Sequence, residues 1–360
     1  MKNRKLTSQY EIAPTMRVPD DHWYPVLEIR EIRRKPLGVE RLGRRLVFWR
    51  TEDGHPHAHL DRCPHLGAAL SGGRICGGRL TCPFHGFEFD AEGQCHHIPA
   101  NGHEVKVTNG MLLSNLPLKE AHGFIWLWWG ESREIYPEIP YFPQLETGWR
   151  FGTVVVEWPV HYTRAIENQL DVAHLAFVHR TTIGAGGRSF VEGPYVEADQ
   201  QGIKVWVTNM RDEGRSARSQ SELAAVAADN EPGLSFLFPG IWLLNISSRL
   251  KNFIAFVPIN EQKTRYYLRV YHRISNPVIA KAFEALMGLS NRFILNQDRR
   301  VVVTQTPLDS SAAQQDILIG ADRAISQFRR YHARLLKQNN SIVLQEAIMN
   351  EIPVAAFPED

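Results

Sequence analysis

The sequence predicts an α+β protein, with a small all-β unit first and a larger unit of strands grouped between helices second. Between about residues 22 and 130, short alternating apolar runs are punctuated by glycine and proline, the pattern of a compact β unit. Pro137, Pro140 and Pro143 fall where neither an ordinary helix nor a central strand is favoured, which sets a domain crossing there and divides the chain into 1–135 and 136–360. Beyond the prolines, strand-like runs lead into two long helical periodicities.

In the first unit the clearest strands are 46–49, 75–76 with 79–81, 87–89 and 123–129. Gly77-Gly78 reads as a two-residue hairpin turn, because both positions accept positive φ. The second unit opens with a strand at 153–158 and a helical segment from about 163 to 178, followed by strands at 203–208, 241–247, 253–258 and 265–274. Helices at about 278–305 and 321–337 close it. In the strand 265–274, Tyr266, Leu268, Val270 and His272 share the more apolar face. His272 is a candidate polar group for a substrate pocket, and Trp206 and Trp242 are candidate walls, with core packing as the alternative for all three.

Composition narrows the function. The 360 residues are 43% hydrophobic and 22% charged with a formal net charge of +2, so no nucleic-acid footprint or acidic tail is expected. Residues 1–14 lack the apolar stretch of a signal peptide, and the longest apolar run, 124–129, is far short of a membrane span, which leads to the expectation of a cytoplasmic protein. Four cysteines are too few for a disulfide scaffold and read as metal ligands or buried thiols. Gly184-Ala185-Gly186-Gly187 lacks the rest of a dinucleotide fingerprint and reads as a loop.

Two constellations carry chemistry. Cys63-Pro64-His65 and Cys82-Pro83-Phe84-His85 each offer one thiolate and one imidazole. Brought together from two loops, they suit a 2Fe-2S centre with cysteines on one iron and histidines on the other. A zinc site would accept the same ligand types, although zinc motifs generally pair like ligands. His55, His57 and His59 read as an exposed strand, Cys76 and Cys95 as buried inert thiols, and His96, His97, His103 and His122 carry no suggestive spacing.

The second constellation is the run from Glu167 through Asp171 and His174 to His179. On a helix Glu167, Asp171 and His174 share a face, and His179 joins them only if the helix ends or bulges. The bland reading is a solvated polar face, but the surrounding Leu170, Ala173, Leu175, Ala176, Phe177 and Val178 make unpaired polar groups costly there. Two histidines and a carboxylate would form the facial triad of a non-haem Fe(II) site.

Cys63-Pro64-His65-Leu66-Gly67 with Cys82-Pro83-Phe84-His85-Gly86-Phe87 resembles the Rieske motif of ring-hydroxylating oxygenases, and 168–179 resembles the Asn-x-x-Asp-x-x-His-x-x-x-x-His motif of the same family. The resemblance implies an N-terminal Rieske domain followed by an antiparallel-sheet, helix-grip (START-like) catalytic domain. It implies a 2Fe-2S cluster held by Cys63, His65, Cys82 and His85, and mononuclear iron held by His174, His179 and a carboxylate. Residues 296–305 resemble the family's late segment, making Asp298 the third ligand, with Glu284, Asp309 and Asp316 as rivals and Gln305 seven positions on along the same helical face. Asp171 would link His174 to the cluster of a neighbouring subunit in a homotrimer, and Asn168 would stand near the iron.

By the same resemblance, NAD(P)H would supply electrons through a separate flavin reductase, a ferredoxin, or both. The expected reaction is hydroxylation or oxidative demethylation of a small organic molecule with O2. Aromatic cis-dihydroxylation is the alternative within the class, and a Rieske electron-transfer protein is the alternative outside it.

Overall fold

The computed structural model describes residues 16–102 and 111–349, with side chains to residue 337. His103, the amino-terminal segment 1–14 and the final residues 350–360 therefore lie outside the described residues.

The first unit is built of β1 (His22–Glu28), β2 (Leu37–Arg41), β3 (Arg44–Arg50), β4 (Pro56–Leu60), β5 (Arg74–Cys76), β6 (Arg79–Thr81), β7 (Glu88–Phe89), β8 (Cys95–His97), β9 (Asn115–Leu116), β10 (Leu118–Ala121) and β11 (Phe124–Trp129). They form three small sheets, ordered β1-β11-β10, β2-β3-β4-β9 and β5-β6-β7-β8. The expected β5–β6 hairpin forms, with Gly77 and Gly78 at φ of 52° and 72°. Two expectations fail here. His59 is fully buried on β4, its Nδ1 3.1 Å from the Ser114 carbonyl, because β4 is an inner strand paired on both edges. Cys76 is exposed at the β5 turn, and Cys95 is only half-buried.

The second unit has β12 (Arg150–Trp158), α1 (Tyr162–Leu170), α2 (Leu175–Val178), β13 (Phe190–Ala198), β14 (Gly202–Met210), α3 (Gln220–Ala228), β15 (Leu234–Leu237), β16 (Ile241–Ser247), β17 (Leu250–Asn260), β18 (Lys263–His272), α4 (Pro277–Val302) and α5 (Arg323–Met349). Its strands form one antiparallel sheet ordered β12-β18-β17-β16-β15-β14-β13. Asn276 caps α4 by accepting from the Val278 and Ile279 amides, and Pro277 occupies a first-turn position that needs no donor.

The pleat of this sheet assigns two jobs to two faces. Val154, Leu268, Ile254, Trp242, Phe236 and Ile203 lie side by side across the strands on one face. Helices cover it: a Cβ on Gly288 of α4 would sit 3.4 Å from Val154, and Phe236 meets Phe328 of α5. The other face carries Phe253, Arg269 and Tyr271 and packs on the first unit, where Phe124 stands 5.9 Å from Phe253. Arg269, fully buried, bonds Glu28 and the His122 and Gly123 carbonyls, and so ties the two units together.

Candidate active site

The cluster loops are near-copies of one another. The Cys63 amide donates to the Ala68 carbonyl and the Cys82 amide to the Phe87 carbonyl, while the Gly67 and Gly86 amides donate back to Cys63 and Cys82. Both glycines sit at positive φ, 76° and 72°, which a side chain would resist. Cys63 and Cys82 are buried, whereas His65 and His85 are exposed with ring centroids 4.7 Å apart. Burial, with the neighbouring Cys82 thiol adding to it, pushes the Cys63 thiol up to about 11. A thiol so placed ionises only when a metal offsets the loss of hydration, which fits a 2Fe-2S cluster with a buried cysteine-bound iron and an exposed histidine-bound one.

The second constellation converges as the histidine spacing requires. The helix does not run through to Val178: α1 stops at Asp171, whose Oδ1 accepts from the amides of Ala173 (2.7 Å) and His174 (3.2 Å) and caps the break. The short α2 then turns His179 back towards His174. Asp298 arrives from α4, and the ligating atoms of His174, His179 and Asp298 lie within 4.8 Å of one another. Asp298 Oδ1 is 2.9 Å from His179 Nε2 and 3.4 Å from His174 Nε2, and Asn168 Nδ2 lies 3.5 Å from the same oxygen. The rival carboxylates are engaged elsewhere: Glu284 with His272, Asp309 with Ser311, and Asp316 with Arg164 and Arg329.

Electrostatics follow from this crowding. Burial works to raise the Asp298 carboxyl, but the two imidazoles outweigh it and the group is held below the usual carboxylate range. Burial likewise opposes the charge on His174, yet Asp171 and Asp298 on either side lift it to about 9. Two imidazoles and a buried anion aimed at one point are a donor set for a divalent metal, whose charge would take the place of that proton. His179 is pre-set for such a role: its Nδ1 lies 2.9 Å from Gln297 Oε1, an acceptor, so Nδ1 holds the proton and Nε2 presents its lone pair.

The surroundings contain groups that the sequence did not single out, together with Trp242, which it did. Thr182 and Thr181 fix Gln297, Asn209 bonds the Val172 carbonyl, and Trp242 Nε1 donates to the Gln169 carbonyl at the end of α1. Trp242 thus stands on the helix-facing side near the site. Four expectations are corrected. Glu167 does not join Asp171 and His174; it is locked to Arg164 and Arg329. His272 contacts Glu284, fourteen residues and about 21 Å of helix before Asp298, and Trp206 lies on the opposite sheet face from Val205, bonded to the Asn230 carbonyl. Gln305 falls beyond the end of α4 and does not share its face.

Residues 22–116 match the model of the Rieske [2Fe-2S] domain, and residues 158–338, half of the chain, match that of the vanillate O-demethylase oxygenase C-terminal domain. The chain belongs to the Rieske oxygenase family. Among its curated relatives are the dicamba O-demethylase oxygenase component of Stenotrophomonas maltophilia, 36% identical over 44% of this chain and 47% of that one. The vanillate O-demethylase oxygenase subunit of Pseudomonas sp. (strain HR199 / DSM 7063) is 31% identical over 46% of each. A putative toluene-4-sulfonate monooxygenase iron-sulfur subunit of Comamonas testosteroni is 35% identical over 50% and 51%. The chain spans about half the length of the curated relatives it matches. The same fold extends further: NdmA of Pseudomonas putida CBB5 superposes with a TM-score of 0.71 at 22% identity, covering 89% of this Rieske oxygenase and 92% of NdmA. Dicamba monooxygenase bound to 3,6-dichlorosalicylic acid gives 0.71 at 21% identity, covering 89% and 98%.

Proposed function

We propose that this chain is the terminal oxygenase of a multicomponent Rieske system, using O2 and electrons from a separate reductase to hydroxylate or oxidatively demethylate a small organic molecule. The observation that carries the reading is one chain holding both a cluster-binding loop pair and the trio His174, His179 and Asp298. An electron-transfer protein needs only the first. Iron held by the trio would supply the binding and activation of O2 at coordination positions left open by three protein ligands.

The chain's own residues do the rest. Asp298 offsets part of the metal charge, Gln297 holds the His179 tautomer, and the Asp171 cap fixes the turn that aims His174. Asp171 Oδ2 lies 3.7 Å from His174 Nδ1 and is partly exposed, a position from which it can connect the site to a cluster on another subunit. Leu66 and Phe84 beside the cluster histidines, and Phe177 and Ile183 beside the trio, are all at least 60% exposed. Two such patches on different units suit a head-to-tail ring, and we assign a homotrimer. Partners are a flavin reductase, a ferredoxin, or both. The likeness to the vanillate and dicamba O-demethylase components favours demethylation over ring cis-dihydroxylation. The four unpaired cysteines suit a reducing cytoplasm, and the proline-rich stretch supports a division into a cluster unit, 1–135, and a catalytic unit, 136–360.

Oxygen uptake with a surrogate NADH-dependent reductase tests the reading against a panel of aromatic methyl ethers and N-methyl compounds. Uptake should be stimulated by substrate, and His174→Ala should abolish it while the visible absorption of the cluster stays. Stimulated uptake persisting in that variant would contradict the assignment.

A further inference from the structure

Where the first unit packs on the sheet of the second, an open cleft of about 790 Å3 shares no lining residue with either metal constellation. Its walls follow from strand periodicity. Leu37, Val39 and Arg41 alternate along one face of β2, and Lys263 and Arg265 lie on the same face of β18 as Arg269, so they carry the contact between the units outwards from the Arg269 joint. Glu157 stands opposite Arg265 on β12, and Ile259 of β17 adds an apolar wall. The volume falls within the range of small-molecule sites.

The charges in the cleft do not balance. Five basic and three acidic side chains line it, a surplus of two positive charges. The acids are engaged already: Glu31 accepts from Arg265 (2.7 Å) and the Tyr267 hydroxyl (2.6 Å), Glu157 accepts from Arg265 (3.0 Å) and pairs with Lys263 (3.4 Å), and Glu40 accepts from Asn260 Nδ2 (3.0 Å). Arg30 pairs with Glu28 at 2.6 Å. Arg33 is exposed, and neither it nor Arg41 has a carboxylate partner among the described residues. Arg41 is only 3% exposed, and its Nε and Nη1 donate to the carbonyls of Val26 and Glu40. A guanidinium buried without an anion at its side is costly, and burial lowers its pKa accordingly.

We propose that this cleft binds a phosphate monoester carried on a small molecule with a flat apolar body. Arg33, Arg41 and Lys263 are the partners of the phosphate, the lysine ammonium keeping donors beyond its contact with Glu157. Leu37 and Val39 on one side and Ile259 on the other seat the body, and a slot between strands of two units suits a flat one. A monoester carries about −1.5 to −2 charges at neutral pH, which matches the surplus, and its three terminal oxygens accept from guanidinium forks. A single carboxylate would offset only half of the surplus, and a neutral molecule none of it. Because the walls come from both units, the bound ester bridges them and stabilises the folded chain. No metal, O2 or electron donor enters this inference, so it stands apart from the oxygenase reading.

Titration calorimetry of the purified, cluster-containing protein with adenosine monophosphate, adenosine and inorganic phosphate tests this, at about 0.15 M salt so that loose surface attraction is screened. Adenosine monophosphate should bind at least about tenfold tighter than either of its fragments and should raise the thermal midpoint. Arg33→Glu changes an exposed side chain and should weaken that binding at least about tenfold while the midpoint of the free protein stays where it is. Arg41→Met should weaken it to a similar degree, and Arg33→Glu decides the question by itself where Arg41→Met does not fold. Adenosine monophosphate failing to bind, either fragment binding as tightly as the whole, or Arg33→Glu binding it like the parent would overturn the proposal.

Discussion

Gln297 accepts from His179 Nδ1 at 2.9 Å, which sets the orientation and tautomer of the ring for the metal-ligand role proposed for His179. Gln297→Leu should weaken metal binding at the trio about 10–100-fold, read by competition with a chelator, and unchanged affinity would remove the role given to the glutamine. The convergence of His174 with His179 could be anticipated from their spacing, whereas Asp298, which the structure brings to them, came only from the resemblance of 296–305 and had three rival carboxylates. Gln297 could not be anticipated, since a glutamine beside an aspartate carries no spacing signal. Glu167 was misread for a related reason: its register with Asp171 is visible, but its partner Arg329 lies 162 residues further on.

At the scale of elements, the two cluster loops depend on how closely their hairpin approaches the chain before it. A Cβ on Gly73 would overlap the Thr81 carbonyl oxygen, one residue before Cys82. Gly73→Ala should therefore push the Cys82 loop out of register and cost the protein its cluster absorption, whereas a variant with full absorption would show that the loops tolerate the shift. A second element-level expectation concerns α5, which reaches α1 through His332, its Nε2 2.6 Å from the Tyr162 hydroxyl. Burial pushes His332 down to about 4, below its unfolded value of 6.5, so its contribution to stability is present above pH 6.5 and is lost as the pH falls towards 4. Between pH 7 and 5 that loss is about 2 kcal/mol, opposed in part by Asp20, which burial raises to about 6. In His332→Phe the pH 7-to-5 drop in unfolding free energy should shrink by about 2 kcal/mol, and an unchanged drop would contradict the assignment. In the second unit the long helices and most strands could be read from periodicity, but β13, β15 and α3 could not, and in the first unit β1, β2, β9 and β10 were missed as well. Four-residue β15 is too short for a period, and α3 buries only Leu223 and Ala227 of its nine residues.

For the whole molecule, the joint between the two units is a buried arginine. Arg269 lies on the face of β18 whose alternation marks it as the more polar side, and the sequence offered no hint that Glu28, 241 residues away, waits opposite. Arg269→Met would leave the buried Glu28 carboxylate with only Thr153 and the exposed Arg30 as partners, and would free the His122 and Gly123 carbonyls; it should destabilise the protein by about 2–4 kcal/mol in denaturant unfolding, while a loss under about 1 kcal/mol would show the joint to be held by apolar contact alone. The proposed division of labour between the units, one passing electrons and the other holding the site of oxidation, rests on two short motifs, each confined to a few contiguous residues. Iron content combined with the electron paramagnetic resonance of the reduced cluster tests that division most directly, comparing the parent with His179→Ala. The expected result is about three irons per chain falling to about two with the cluster signal intact; loss of that signal together with the iron, or no loss of iron, would contradict two independent metal centres.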